Sequence, residues 1–268
     1  MNKLSWLLIL LPFIYACNLS GVEDKDDTEV VADDIEQIIE IASDSIVFDN
    51  GIVIRYFEHG DGDSLRVGDV VKINYSCRLK DGKVFDSNDK IGTPIPFMVG
   101  WRMQTKGWDL AFEKLRVGDD VEIFIPSDLA RGKAGIPGSV PPDADNWLRV
   151  KVVEKVKENY SNDGVKVFVF ERNPGSQKLK MGDELEIEYI AYAESKPRYS
   201  SSFQNGTPFP FKLGSGSNLP GLNMGMEFAH YGDLLWIYIP SEHAFGKKGS
   251  VDNVKPNEAV LFDILVSE

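Results

Sequence analysis

The sequence predicts two α+β domains in tandem, each an antiparallel sheet wrapped on one short helix. Three observations carry this prediction: a repeat at constant offset, apolar residues alternating with a period of two, and one stretch of helical spacing in each copy. Val67-Gly68-Asp69 returns as Met181-Gly182-Asp183, and Tyr75 returns as Tyr189. Pro94 and residues 97–100 return as Pro208 and residues 211–214. Ile125-Pro126-Ser127 returns as Ile239-Pro240-Ser241, Gly132 as Gly246, and Leu148 as Phe262. The offset is 114 for every pair, so no insertion separates the copies over this span. Glycines, prolines and apolar positions do not stay in step over such a distance by chance, so the chain is a duplication. A unit of roughly 110 residues is large enough for its own core, and the total of 268 residues fits two such units.

From the N-terminus, Lys3 followed by an apolar run over residues 4–14 and a small Ala16 reads as an export signal. The run is too short to span a bilayer, which takes about twenty residues. Residues 14–17, Ile-Tyr-Ala-Cys, resemble a bacterial lipobox, in which the cysteine is lipidated and becomes the mature N-terminus. Cys17 is therefore the expected lipid anchor. Asn18 after it resembles an outer-membrane sorting signal, with a periplasmic or a surface face left open. Residues 18–34 carry seven acidic side chains and few large apolar ones. Such a segment cannot bury a core and is expected to act as a disordered, extended tether. Ile35, Ile38, Ile39 and Ala42 have helical spacing and predict one short helix. The expected division is a signal over 1–16, a tether over 17–44, a first domain over 45–157 and a second over 158–268.

Composition excludes several function classes. The net charge is −13, and no cluster of Lys and Arg interrupts it, so nucleic acid is not an expected partner. Cys17 and Cys77 are the only cysteines. If Cys17 is acylated, Cys77 has no disulfide partner; it matches Ala191 in the other copy and is read as a small core residue. The three histidines are scattered without metal-ligand spacing, so neither a metal nor a cofactor is expected.

Within each copy, alternation marks the strands. Val71, Ile73, Tyr75, Cys77 and Leu79 form one inward face, matched by Leu185, Ile187, Tyr189, Ala191 and Ala193. Val121, Ile123 and Ile125 form another, matched by Leu235, Ile237 and Ile239. Leu148, Val150 and Val152 form the last, matched by Phe262, Ile264 and Val266. Residues 52–57 and 165–170 predict a short strand before each block. Trp108, Ala111, Phe112 and Leu115 share one face of a helix, as do Leu222, Gly225, Met226 and Ala229. Gly118 and Gly232 follow, where glycine eases a chain reversal at a helix end.

These residues resemble the FKBP-type peptidyl-prolyl cis-trans isomerases. In the first copy the resemblance runs over about residues 66–153, through INYSCRLKDGKVFDS, PFMVG, KGWDLAFEKLRVGD, IPSDLARG and GIPGSVPPDA. In the second it runs over about 180–267, through IEYIAYAESKPRYSS, FPFKLG, LPGLNMGM, IPSEHAFG and KPNEAVLFDI, and is more degenerate. The family fold implied is a twisted antiparallel half-barrel sheet around a short helix. The implied substrates are Pro-containing polypeptides, and the implied role is to assist folding of exported proteins. X-Pro rotation faces a barrier of about 18–20 kcal/mol. A dry aromatic cup that favours the twisted amide lowers it without nucleophile, metal or cofactor, and about 4 kcal/mol gives roughly a thousandfold acceleration.

The resemblance implies a cup in the first domain with Trp108 as floor, Tyr75 and Phe85 as walls and Asp86 as the carboxylate. It places Ile95, Phe97, Val140 and Leu148 around the substrate, and Thr105 where a backbone N–H meets the ligand carbonyl. Three departures reduce the aromatic surface: Arg131 stands where the family has a Tyr, Ile95 and Leu148 where it has aromatics. The second domain keeps Tyr189, Tyr199, Phe209, Phe211, Phe245 and Phe262, but has Ser200 for the Asp and Leu222 for the Trp. It is expected to bind proline segments with weak or no turnover. A monomer is expected. The competing reading is a tandem scaffold or chaperone that clamps Pro-containing chains without catalysis, its two weak sites reinforcing one another through effective concentration.

Overall fold

The computed structural model describes residues 42–267; the expected export signal, the expected anchor Cys17, the expected tether up to residue 41 and the helix expected over residues 35–42 lie outside them, apart from Ala42, which is not helical. Alternation in the sequence becomes two seven-stranded sheets of one topology. The first holds β1 (Asp44–Val47), β2 (Val53–Glu58), β3 (Val70–Arg78), β4 (Val84–Ser87), β5 (Ile95–Met98), β6 (Asp120–Ile125) and β7 (Asn146–Val156). Its order is β1-β2-β6-β7-β3-β4, with β5 paired to β3 as well. The second holds β8 (Tyr160–Asn162), β9 (Val165–Glu171), β10 (Glu184–Ala193), β11 (Lys196–Ser201), β12 (Phe209–Lys212), β13 (Leu234–Ile239) and β14 (Val260–Val266). Its order, β8-β9-β13-β14-β10-β11 with β12 on β10, repeats the first strand for strand. All pairings are antiparallel.

The inward faces close on the helices as the spacing requires. Val71, Ile73, Tyr75 and Cys77 join Val121, Ile123, Ile125, Leu148, Val150 and Val152 in one buried core. Helix α1 (Lys106–Phe112) lays Trp108, Ala111 and Phe112 on it. Leu115 is buried too, although the helix ends before it, and Gly118 sits in the turn before β6 rather than at the helix end. In the second domain the short α2 (Ser202–Asn205) follows β11, and α3 (Pro220–Met226) takes the place of α1. Gly107 and Gly221 fix both helix-to-sheet distances. A Cβ at Gly107 would lie 2.3 Å from Ile125 Cγ2, and one at Gly221 2.2 Å from Ile239 Cγ2, so any larger residue would push the helix off its strand.

The outer faces of the two sheets differ in their polarity. On the first, Arg55 and Arg78 both bind Glu122, at 3.4 and 2.6 Å, and Arg149 binds Asp120 at 2.9 Å. The positions 114 residues later are Tyr192 for Arg78, Trp236 for Glu122, Leu234 for Asp120, Leu261 for Trp147 and Asp263 for Arg149. Tyr192, Leu234, Trp236 and Leu261, with Phe168 and Ile190, are buried against Val70, Met98 and Trp101 of the first domain. Each large apolar side chain so covered contributes about 1.5–3 kcal/mol, whereas an exposed ion pair contributes about 0–1 kcal/mol. The apolar contact therefore dominates, and the two domains are joined by a shared core as well as by the chain.

Asp263 is a carboxyl on this apolar face, opposite Trp236 and Ile190 in register. It is fully buried, and Oδ1 has no hydrogen-bond partner. Burial pushes its pKa up to about 7, against the lowering effect of the Trp236 hydrogen bond. A carboxyl whose folded pKa lies above its unfolded value stabilises most below the ordinary carboxylate range, and that stability is lost as pH rises towards about 7. Asp263→Asn is expected to shrink the fall in melting temperature between pH 4 and pH 7.5 and to melt above the parent at pH 7.5. Superimposable pH profiles of the two proteins in calorimetry would refute this assignment.

Candidate active site

Strand β3 supplies Tyr75 and β4 supplies Asp86, whose backbone pairs with Cys77. The Tyr75 hydroxyl donates to Asp86 Oδ1 at 3.0 Å. Asn88, just after β4, holds this corner: its Oδ1 accepts from the Tyr75 backbone N–H at 2.6 Å, and its Nδ2 donates to Asn74 Oδ1 and to the Thr93 carbonyl. Ser202 does the same work in the second domain, accepting from the Tyr189 N–H at 3.0 Å. Sequence reasoning missed both, since a single polar residue after a strand carries no pattern; their matching positions were the available signal.

Trp108 lies at the centre of an aromatic cluster. Its ring meets Tyr75 edge-on at 5.4 Å, Phe97 at 5.6 Å and Phe112 in a stack at 5.7 Å. Ile95 and Leu148 are buried in the same core. Leu148 is wholly buried, opposite Cys77 and Ile123 in register. Phe85 touches this core and also a small satellite cluster of Leu79, Ile136 and Val140, so Val140 reaches the cup by way of Phe85. Thr105 precedes α1 at its N-cap, and its buried Oγ1 has no hydrogen-bond partner.

The polar groups of the cup are mutually constrained. Burial raises the Asp86 pKa, opposed by the Tyr75 hydrogen bond, the Arg131 charge and the Ser87 backbone N–H. Burial pushes the Tyr75 phenol far up, and the neighbouring Asp86 adds to this. Arg131, read in the sequence only as a missing Tyr, brings a half-hidden guanidinium to this group. Its Nη2 donates to Gln104 Oε1 at 2.8 Å, and burial lowers its pKa. The arrangement offers an apolar aromatic floor, a carboxylate held in place by a phenol, and a fixed positive charge at one side. It contains no paired nucleophile and base; what it can do is favour a less dipolar, twisted amide. Cys77 is buried in the same core, its thiol pKa pushed well up by burial.

The second cup keeps the walls and changes the chemistry. Tyr189 meets Phe209 at 5.7 Å and Phe262 at 5.9 Å, and Tyr199 meets Phe245 at 6.2 Å. Phe211 is buried in the same core. The Tyr189 hydroxyl bonds Ser200 Oγ at 2.8 Å, the geometry of Tyr75 and Asp86 with the charge removed. Leu222 stands on α3 in place of the indole and is buried. The Tyr199 hydroxyl is buried without a hydrogen-bond partner, and burial raises its pKa.

The sequence model of the FKBP-type peptidyl-prolyl cis-trans isomerase family matches residues 62–153 and 175–267, and the chain belongs to that family. The human protein "Peptidyl-prolyl cis-trans isomerase FKBP10" is 26% identical over 203 residues, covering 75% of this chain and 34% of that protein. "FK506-binding protein 3" of Yarrowia lipolytica is 39% identical over 105 residues, covering 39% of this chain and 25% of that protein. The chain thus spans about a third or less of the length of these relatives. Among solved structures, the three FKBP domains of wheat FKBP73 align with a TM-score of 0.41 at 22% identity, covering 82% of this chain and 95% of that one. FkpA from Escherichia coli aligns with a TM-score of 0.38 at 30% identity, covering 41% and 51% respectively.

Tyr75→Phe tests the coupling within the first cup. Removing the phenol leaves a half-buried carboxylate with one hydrogen bond lost, a loss of about 1 kcal/mol. The Asp86 pKa is expected to rise further, because the lost hydrogen bond was lowering it. A carbon-13 titration of the Asp86 carboxyl that leaves its pKa in place would contradict the geometry.

Proposed function

We propose that this chain is a peptidyl-prolyl cis-trans isomerase whose first domain catalyses and whose second domain binds proline-containing segments with weak or no turnover. The observation that carries this reading is the contrast between the two cups. Tyr75, Asp86 and Trp108 converge in the first, while Ser200 and Leu222 occupy the matching places in the second. An apolar cup disfavours the planar, dipolar amide relative to the twisted one, and Asp86 supplies a half-buried carboxylate hydrogen-bonded to the Tyr75 wall. Phe97, Ile95 and Phe85 enclose the pyrrolidine ring, and Thr105 and Val140 stand at the rim. In the second cup Tyr189, Tyr199, Phe209, Phe245 and Phe262 offer aromatic surface for the same ring without the charge, which supports binding in preference to catalysis. The family membership supports the reaction class.

We place the protein in the bacterial envelope as a monomer, anchored by lipid on Cys17 and acting on exported polypeptides. The export signal, the lipobox-like residues 14–17 and the acidic stretch behind them support this reading. Among the described residues no helix is long and apolar enough to cross a membrane.

The catalytic reading is tested in the whole mature protein with a protease-free X-Pro isomerisation assay. Trp108→Leu, which copies the second domain, and Asp86→Asn are each expected to lower kcat/KM at least tenfold, about 1.4 kcal/mol of barrier. A change in the second cup, Tyr199→Phe, which copies Phe85 of the first, is expected to leave turnover within twofold. Parent protein no faster than the uncatalysed rate across varied residues before Pro would leave the binding scaffold as the function. For the anchor, labelled palmitate is expected to enter the protein in cells and to be lost in Cys17→Ala; equal labelling of both would refute lipidation at that residue.

A further inference from the structure

A loop residue ties the second domain to the first domain's cup. Trp101 is only 2% exposed, although it lies in the loop between β5 and α1. Its ring meets Tyr238, a side chain of β13 in the second domain, edge-on at 5.6 Å. With Val70 and Met98 it forms the fully buried part of the first domain's share of the cluster covering the outer face of the second sheet.

The residues after Trp101 lead without interruption into the cup. Arg102 holds a left-handed φ of 51°, and its backbone N–H donates to Asp109 Oδ2 at 3.1 Å. Asp109 follows Trp108 on α1. Met103 packs against both the first domain's core and the inter-domain cluster, and its sulfur accepts from the Met98 backbone N–H at 3.4 Å. Gln104 accepts from Arg131. Thr105 is the N-cap of α1, and its carbonyl accepts from the Trp108 N–H at 3.1 Å. Each residue from 101 to 105 is thus fixed on one side by the second domain or on the other by the cup. A non-glycine residue held at positive φ costs free energy and persists only where its surroundings enforce it; at Arg102 the buried Trp101 before it and the Asp109 carboxylate supply that constraint.

We propose that the second domain braces the first domain's cup, and that Trp101 is the positioning residue through which it acts on Trp108 and Thr105. The proposal rests on the reading that the first cup is the catalytic one. It gives the degenerate domain a role that needs neither turnover nor a ligand of its own. Displacement of a catalytic group by about 1 Å costs on the order of a hundredfold in rate, so a partial loosening of this loop is measurable.

The decisive variant lies in the second domain. Tyr238→Ala removes the partner of Trp101 and leaves every residue of the first domain unchanged. In the whole mature protein it is expected to lower kcat/KM about tenfold, as is Trp101→Ala. The double variant is expected to be no slower than the slower single variant, and Trp101→Phe to recover most of the rate. Biosynthetic 5-fluorotryptophan provides a second readout: the Trp108 fluorine resonance is expected to shift or broaden in Tyr238→Ala. Tyr238→Leu, which keeps apolar bulk, serves if the alanine variant does not fold. Unchanged kcat/KM together with an unmoved Trp108 resonance in a folded Tyr238 variant would overturn the proposal. Parent protein that does not accelerate isomerisation, but whose Trp108 resonance still responds to Tyr238, would overturn the catalytic reading and leave the brace standing.

Discussion

The contact between the outer face of the second sheet and the edge of the first is the constraint on which the rest of the molecule depends. A sheet that carries Phe168, Tyr192, Leu234, Trp236 and Leu261 on one side and a helix-packed core on the other is apolar on both faces over its centre. The first domain supplies Val70, Met98 and Trp101 to cover it, and in doing so takes the loop before its own helix into the junction. The relative placement of the domains, the path of residues 100–105 and the seating of Trp108 follow from that one burial. The tandem is a single packed body whose second half is committed to the first.

Duplication followed by divergence explains how the two halves came to differ. The inward faces stayed alike because both must close on a glycine-spaced helix, as the near contacts at Gly107 and Gly221 require. The cup floor was free to change in the second copy, where Leu222 replaces the indole and Ser200 the carboxylate. The outer face changed in the opposite direction. The ion-paired surface around Glu122 in the first copy corresponds to the aromatic surface around Trp236 in the second.

Much of this was legible in the sequence. The alternation from Val71 to Leu79 and its echo from Leu185 to Ala193 gave the inward faces, and the spacing of Trp108, Ala111 and Phe112 gave the helix, because period and burial are linked by backbone geometry alone. The outer face was overlooked although its mark was present. Residues 234–239, Leu-Leu-Trp-Ile-Tyr-Ile, abandon alternation, as a strand buried on both sides must. What such a run cannot name is the surface that covers it, since Val70, Met98 and Trp101 come from separate elements with no shared period. Strand β1 was missed because all four of its residues are exposed, so no buried face marks it. Arg131 was read as an absence, and its bond to Gln104 emerges only when two loops meet. Asn88 and Ser202 were invisible singly for the same reason.

The asymmetry of the junction has a consequence for biogenesis. Synthesis delivers the first domain before the second, and domains fold as units in that order. The first domain contributes a small apolar edge, centred on Trp101, and its outer face carries ion pairs with Arg78 and Arg149 laid over the Trp147 and Phe57 rings. It can wait alone without offering a large sticky surface. The broad aromatic face belongs to the later domain, which meets a folded template as soon as it is complete. Reversing the order of the two domains would leave that face uncovered for the whole interval of translation, so the linear arrangement of the chain itself acts as protection against aggregation.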